Sequence, residues 1–383
     1  MTTAPQRKSK IVIVTHEFSP FRGGVATYTE ELAAALSRAG REVEVWAPDY
    51  ALPRATDECA VPIRWLRGRG SLRFGDVLQF AAQLMARRKR LAESTVVLTS
   101  VGAHLAFMIL VPLGGAKCGR LVSVIHGSEV LRFQNSGFWK FWARRFFPRV
   151  DCILTVSAYT QSLIQRSFLS SLVQRIVIAP VACGSAATRP CHTTAPGDDK
   201  IRILTLARVH PRKGQLDTAR ALARLPEPWR ARIVYQIGGM GSSLYLRQVE
   251  AVCRAAGVGF KHLCQINPDT LAATYQQSDI CAMTSRMLPN SVEGFGISYL
   301  EAGFHGKPVV GYRSGGAVEA VVDGETGLLV DEGDVPALAN AFLRLLEDPA
   351  LRQRLGEGGR RYAAKFSWDT TARVLTEALE GLR

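Results

Sequence analysis

With 383 residues, 47% of them hydrophobic and 21% charged, the chain has the make-up of a soluble globular protein and is too long for one ordinary core. A formal net charge of +15 calls for anionic partners, which leaves nucleotides, nucleic acid and a membrane surface in play. Eight cysteines without a CxxC pair argue against a disulfide framework or a zinc site, and Cys183, Cys191 and His192 sit in a turn-rich stretch with no metal-ligand spacing. The apolar run LAFMILVPLGGA is broken by Pro112 and two glycines and is too short to span a bilayer.

The first apolar run, IVIV from Ile11, follows basic residues but ends in polar THE, so it reads as a strand and not as a signal peptide; a cytoplasmic protein is expected. A turn at Gly23 and Gly24 follows. Val25, Tyr28, Leu32 and Leu36 then form a helical stripe that stops at Gly40, and EVEVWAP is the next strand. STVVLTS, RLVSVIHG, CILTVS and RIVIAP continue the strands, with helical segments between them. The pattern restarts with IRILTLARV, GQLDTARALARL, RIVYQIGG and SSLYLRQVEAVCRAAG, then LAATYQQSD, ICAMTS, a helix after GFG, KPVVGY and TGLLV. Such alternation predicts parallel sheets covered on both faces. The expected division is 1–182, a linker at 183–199 that lacks periodicity, and 200–367, with a helix at about 368–383 returning to the first part. The fold class is therefore α/β, with two doubly wound, Rossmann-like domains facing each other across a cleft.

Ligands of such sheets bind beyond the carboxyl ends of the strands, and the unusual residues fall there. Gly23 and Gly24, His126, Arg208 and Lys213, Gly238 and Gly239, and Glu293 all follow predicted strands. Two helices open directly after glycine, at GGVATY and at GFGISY, and a helix start offers free N–H groups to phosphate. Close helix-to-strand packing would also call for these glycines. Neither stretch has the GxGxxG or P-loop spacing. Arg208 and Lys213 can clamp a diphosphate, the guanidinium by paired bonds and the ammonium as a mobile charge. Glu293 lies in the loop before the second of these helices. Glu301, eight positions on, falls one to two turns inside it, where it is either a solvated acid or a buried one in need of a partner.

The stretches PFRGGVATY, LARVHPRKG, IGGMGSSLYLR, SVEGFGISYLEAGFHGKPVVGYRSGGAVEAVVDGETGLLV and FSWDTTARVLTEAL resemble the retaining glycosyltransferases of family 4, which have the GT-B fold. The resemblance runs along nearly the whole chain, and its most specific part is the E-x7-E pattern of Glu293 and Glu301. It implies that Glu293 contacts the donor sugar and Glu301 the ribose hydroxyls. Arg208 and Lys213 would stabilise the leaving diphosphate, with the helix start at Gly296 and Ile297 facing it. Gly23 and Gly24 would let the donor phosphate approach the backbone, and His126 would touch the sugar. The implied reaction moves a hexose from a nucleotide sugar to an acceptor hydroxyl with retention, without a metal or other cofactor. Where the family has PNGVD, GDGP and PSRYEGFG, this chain reads APVACGS, GGMGS and TSRMLPNSVEGFG. The lengthened last stretch resembles users of GDP-mannose, and UDP-sugars stay open.

One nucleotide site does not use up the positive charge. FWKFWARRFFPR, with Phe138, Trp139, Phe141, Trp142, Phe146 and Phe147 among Lys140, Arg144, Arg145 and Arg149, together with LMARRKR at 84–90, suits the headgroup region of an anionic bilayer. The first domain is therefore expected to reach a lipid or lipid-linked acceptor of cell-envelope polysaccharide or glycolipid synthesis, as a peripheral enzyme at the inner face of the membrane. A small soluble acceptor, a sugar-nucleotide epimerase of the same fold and a basic nucleic-acid binder are the competing readings. The last lacks any recognition module.

Overall fold

Short apolar runs, buried on both faces, build the centres of the two sheets. The computed structural model describes residues 9–19, 23–50, 60–68, 70–191 and 198–381. It divides into two units, Met1–Val181 with Trp368–Arg383, and Ala182–Ser367.

The first unit holds β1 (Ile11–Val14), α1 (Gly24–Arg38), β2 (Val43–Asp49), β3 (Ile63–Arg67), α2 (Phe74–Met85), α3 (Arg88–Ala92), β4 (Thr95–Leu98), α4 (Val101–Leu110), β5 (Arg120–Ile125), α5 (Ser128–Gln134), α6 (Gly137–Phe146), β6 (Cys152–Thr155), α7 (Ala158–Gln165) and β7 (Ile176–Ile178). Its sheet runs β3-β2-β1-β4-β5-β6-β7, every pair parallel. Each of the four residues of β1 is fully buried, and burial of one such side chain contributes about 1.5–3 kcal/mol.

The second unit holds α8 (Ser185–Thr188), β8 (Ile201–Leu206), α9 (Gln215–Ala223), α10 (Glu227–Arg230), β9 (Ile233–Gly238), α11 (Ser243–Ala255), β10 (Gly259–His262), α12 (Pro268–Gln276), β11 (Ile280–Met283), α13 (Ile297–Phe304), β12 (Val309–Tyr312), α14 (Ala317–Ala320), β13 (Gly327–Val330), α15 (Val335–Glu347) and α16 (Pro349–Ala363). Its parallel sheet runs β10-β9-β8-β11-β12-β13. In both sheets the chain order reverses beside the first strand, β1 in one and β8 in the other, and such a reversal leaves a crevice at the carboxyl ends.

The final helix, α17 (Trp368–Gly381), packs on α1 of the first unit. Trp368 meets the ring of Tyr28 edge-on at 5.3 Å, and Arg38 donates to Asp369 at 2.7 Å. Of the expected linker at 183–199, the described start carries a short helix. This start belongs to the second unit, where α8 packs on α12 and α13. His192, weighed with Cys183 and Cys191 as a metal site, lies outside the described residues. Among the described residues no helix is long and apolar enough to cross a membrane.

Candidate functional site

After β8 the chain turns through a 3₁₀ segment, Pro211–Lys213, into α9. Gly214 makes the turn with φ +68°, and its α-carbon lies so close to Thr284 that a side chain would overlap the Thr284 carbonyl. The glycine loop after β9 lies along the same segment: Val209 N donates to Met240 O at 2.9 Å and Ser242 N to Val209 O at 3.0 Å. Arg208 is exposed, and its guanidinium makes no ion pair among the described residues. Lys213 turns inward.

Lys213 meets Glu293 at 2.5 Å, and Arg212 reaches the same carboxylate at 3.1 Å. Ser285 Oγ donates to it at 2.9 Å. The loop that carries Glu293 is held from the far side, because Gly316 N donates to Glu293 O at 2.8 Å and Gly315, φ +59°, leaves no room for a side chain against it. Burial alone would push the Glu293 carboxyl up, but the Lys213 and Arg212 charges and the Ser285 bond hold it well below the usual carboxylate range. Burial presses the Lys213 ammonium towards its neutral form, and Glu293 opposes this. Two cations, Arg212 and Lys213, thus share one carboxylate, and the Arg208 charge is felt at Lys213, a surplus that suits a polyanion.

α13 opens after Gly296, whose φ of +94° and contact with the Tyr299 ring exclude any side chain. Ile297 is its first residue. Glu301 lies in mid-helix and is buried, with 8% of its surface exposed. Its partners explain why it is tolerated there. Tyr275 Oη donates to Oε2 at 2.8 Å and Gly184 N to Oε1 at 3.3 Å. His305, one turn on, stacks on Tyr275 at 5.3 Å and pairs with Ala187 O at 2.7 Å. The two acids therefore have separate surroundings, cations for Glu293 and a phenol with a backbone N–H for Glu301.

In the first unit, Gly23 caps α1 in an extended conformation that any residue can adopt, φ −179°. A side chain at Gly24 would meet nothing within 4 Å, and one at Gly23 would only reach Glu17 at 4.0 Å. Packing among the described residues therefore does not require these two glycines. His126 follows β5, with its Nε2 3.0 Å from Thr99 O, so that nitrogen carries the proton. Its backbone N–H donates to Glu129 at 3.0 Å, and the Tyr28 ring meets it edge-on at 4.9 Å.

Two residues near these positions went unread in the sequence. Arg212, beside Lys213 in a cation-rich turn, gives no sign in the sequence of its burial. His16, after β1, is buried, accepts from Gly102 N at 3.1 Å, and burial lowers its pKa. Its place after a buried strand was the available signal. A second surface lies on the first unit, where Phe74, Leu78 and Met85 of α2 and Phe138 and Phe141 of α6 are exposed. Phe74 and Phe138 touch at 6.1 Å, and the Arg145 guanidinium lies 3.5 Å over the Phe141 ring. Trp139, Trp142, Phe146 and Phe147 instead pack into or against the core.

Residues 22–180 match the family model of Glycosyltransferase Family 4, and residues 193–362 that of Glycosyl transferases group 1. A GDP-mannose-dependent alpha-(1-6)-phosphatidylinositol monomannoside mannosyltransferase of Mycolicibacterium smegmatis is 32% identical over 97% of this chain and 99% of its own. A GDP-mannose-dependent monoacylated alpha-(1-6)-phosphatidylinositol monomannoside mannosyltransferase of Corynebacterium glutamicum is 29% identical over 97% and 98%. Among solved structures, sucrose-phosphate synthase from Thermosynechococcus elongatus superposes with a TM-score of 0.79 over 98% of this chain and 99% of its own, at 21% identity, which shows the GT-B architecture. The chain belongs to the glycosyltransferases that join a family 4 domain to a group 1 domain.

Proposed function

We propose that this glycosyltransferase moves mannose from GDP-mannose to a hydroxyl of a lipid-linked acceptor, with retention at the anomeric carbon. The observation that carries the reading is the ionised Glu293 set between Lys213 and Arg212 at the carboxyl edge of the second sheet. Likeness to the mannosyltransferases along the full chain supports the donor and the acceptor class. In this reading the second unit holds the nucleotide sugar. Glu293 accepts from the sugar hydroxyls and Glu301 from the ribose. The bonds from Tyr275 and Gly184 hold the Glu301 carboxylate in place.

Bond breaking develops an oxocarbenium-like sugar and drives negative charge onto the departing diphosphate. Arg208, Lys213 and the N–H groups at Gly296 and Ile297 stabilise that charge more in the transition state than in the ground state. These charges supply what a metal would otherwise supply, so the step runs without one. The first unit takes the acceptor, and in this reading Gly23 and Gly24 at the start of α1 let the donor phosphate approach the backbone while His126 touches the donor sugar. Its exposed rings on α2 and α6, flanked by Arg144, Arg145 and Arg149, suit an anionic membrane at the inner face of the cell.

The test is transfer of label from GDP-[14C]mannose to phosphatidylinositol monomannoside in vesicles, with UDP-glucose and UDP-GlcNAc in parallel. Label in the lipid phase from GDP-mannose, with α-linkage, is expected and should persist in EDTA. Transfer from a UDP-sugar alone, or only to soluble acceptors, overturns the donor or the acceptor half of the reading. Flotation with vesicles tests the surface: binding should rise with anionic lipid, fall with salt, and weaken when Arg144 and Arg145 become glutamate.

A further inference from the structure

The donors around Glu293 all meet one oxygen. Arg212 Nη1, Lys213 Nζ and Ser285 Oγ lie 3.1, 2.5 and 2.9 Å from Oε2, and Oε1 has no hydrogen-bond partner among the described residues. Arg212 is not a surface cation, since only 8% of it is exposed. Its backbone is fixed on both sides, the N–H donating to His210 Nδ1 at 3.1 Å and the carbonyl accepting from Arg286 N at 2.7 Å. Neighbours in the chain, Arg212 and Lys213 converge on a single acceptor.

That convergence has a consequence for catalysis. To follow a leaving diphosphate, Lys213 must give up part of its bond to Glu293. A carboxylate left with only the Ser285 hydroxyl would be poorly compensated at a site this buried. The Arg212 guanidinium, planar and always charged, keeps the carboxylate paired while the ammonium moves. We propose that Arg212 is a positioning residue, which holds Glu293 by Oε2 so that Oε1 faces the donor sugar and Lys213 is released to the diphosphate. This rests on the reading that Glu293 faces the sugar.

The groups facing Glu293 are Arg212 and Lys213 from the turn after β8, Ser285 after β11 and Tyr299 of α13, with Arg208 acting on Lys213 and all three cations acting on His210. The test compares Arg212→Met, Arg212→Lys and Glu293→Gln by kcat, KM for GDP-mannose, GDP affinity and the pH profile of kcat. For Arg212→Met, kcat falls about tenfold to a hundredfold while GDP affinity changes by less than about threefold. Its acid limb moves up by about one unit or more, because the carboxylate has lost a neighbouring cation. Arg212→Lys keeps the charge, so it retains more of kcat and shifts the limb less. Wild-type kcat in both folded variants, or a loss with no shift of the limb and no rescue by lysine, overturns the proposal. If Arg212→Met is not recovered folded, Ser285→Ala carries the test, with a smaller fall in kcat and a smaller rise of the limb; an unchanged kcat and limb there overturns it. Full turnover in Glu293→Gln would instead sink the underlying reading, a separate result.

Discussion

Gly303 and Gly359 meet with no side chain between them: a β-carbon placed on Gly359 would lie 2.9 Å from the Gly303 α-carbon, and one on Gly303 would lie 2.9 Å from Gly359 O. One turn away, a side chain on Gly356 would overlap Gly306 O. α13 and α16 therefore pack backbone to backbone, and α13 carries Glu301. Gly359→Ala should force the helices apart, cost about 1–3 kcal/mol and weaken GDP binding, although residue 359 is proposed to touch no ligand. Thermal unfolding and calorimetry with GDP check this. Lowered stability with untouched GDP affinity would mean that α13 does not transmit the shift.

Gly24 presents the opposite case. Its position leaves open space for a methyl group, and alanine is the better helix former, so Gly24→Ala should keep or raise the melting temperature. If donor phosphate approaches this helix start, the same change should lower kcat/KM by about tenfold or more. A stable variant with unchanged kcat/KM would remove Gly24 from the donor site.

The two acids should separate in binding experiments. Glu301→Ala should weaken binding of free GDP, since its proposed partner is the ribose, whereas Glu293→Ala should lower turnover and leave GDP affinity nearly intact. Tyr275→Phe removes one donor from the buried Glu301 and should cost about 1–3 kcal/mol of stability. Equal loss of GDP affinity in both glutamate variants would contradict the division of roles.

Acid should erode the contribution of Glu293. Its folded pKa is depressed, so the stabilisation is complete above the unfolded carboxyl value, about 4.3, and is lost as pH falls from there through the lowered folded value. The advantage of the wild type over Glu293→Gln in urea unfolding should thus be constant from pH 7 to 5 and shrink between pH 4 and 3. An advantage independent of pH across that range would show that the carboxylate is not held low.

The central strands were legible because β1, β4 and β11 are short apolar runs buried on both faces. β3 and β10 were not. Each is the outermost strand of its sheet and carries charged or polar side chains, Arg64 and Arg67 in one, Lys261 and His262 in the other, which blunt an exposed edge and erase the apolar signal. The spacing of Glu293 and Glu301 marked both acids, since a turn glycine and a helical stripe place them on separate elements. Arg212 could not be told from Lys213 in PRKG, because the burial of one guanidinium comes from packing against Glu293, some eighty residues away in the chain. In the aromatic segment, periodicity alone did not separate the core rings Phe146 and Phe147 from the exposed Phe138 and Phe141.

α17 gives the first unit an unusual order of assembly. The apolar side of α1, including Tyr28, is covered by Trp368 and its neighbours, which leave the ribosome only after the whole second unit has been synthesised. The unit translated first is therefore completed last, and a nascent chain must keep the face of α1 from non-native contacts while 182–367 folds as one uninterrupted segment.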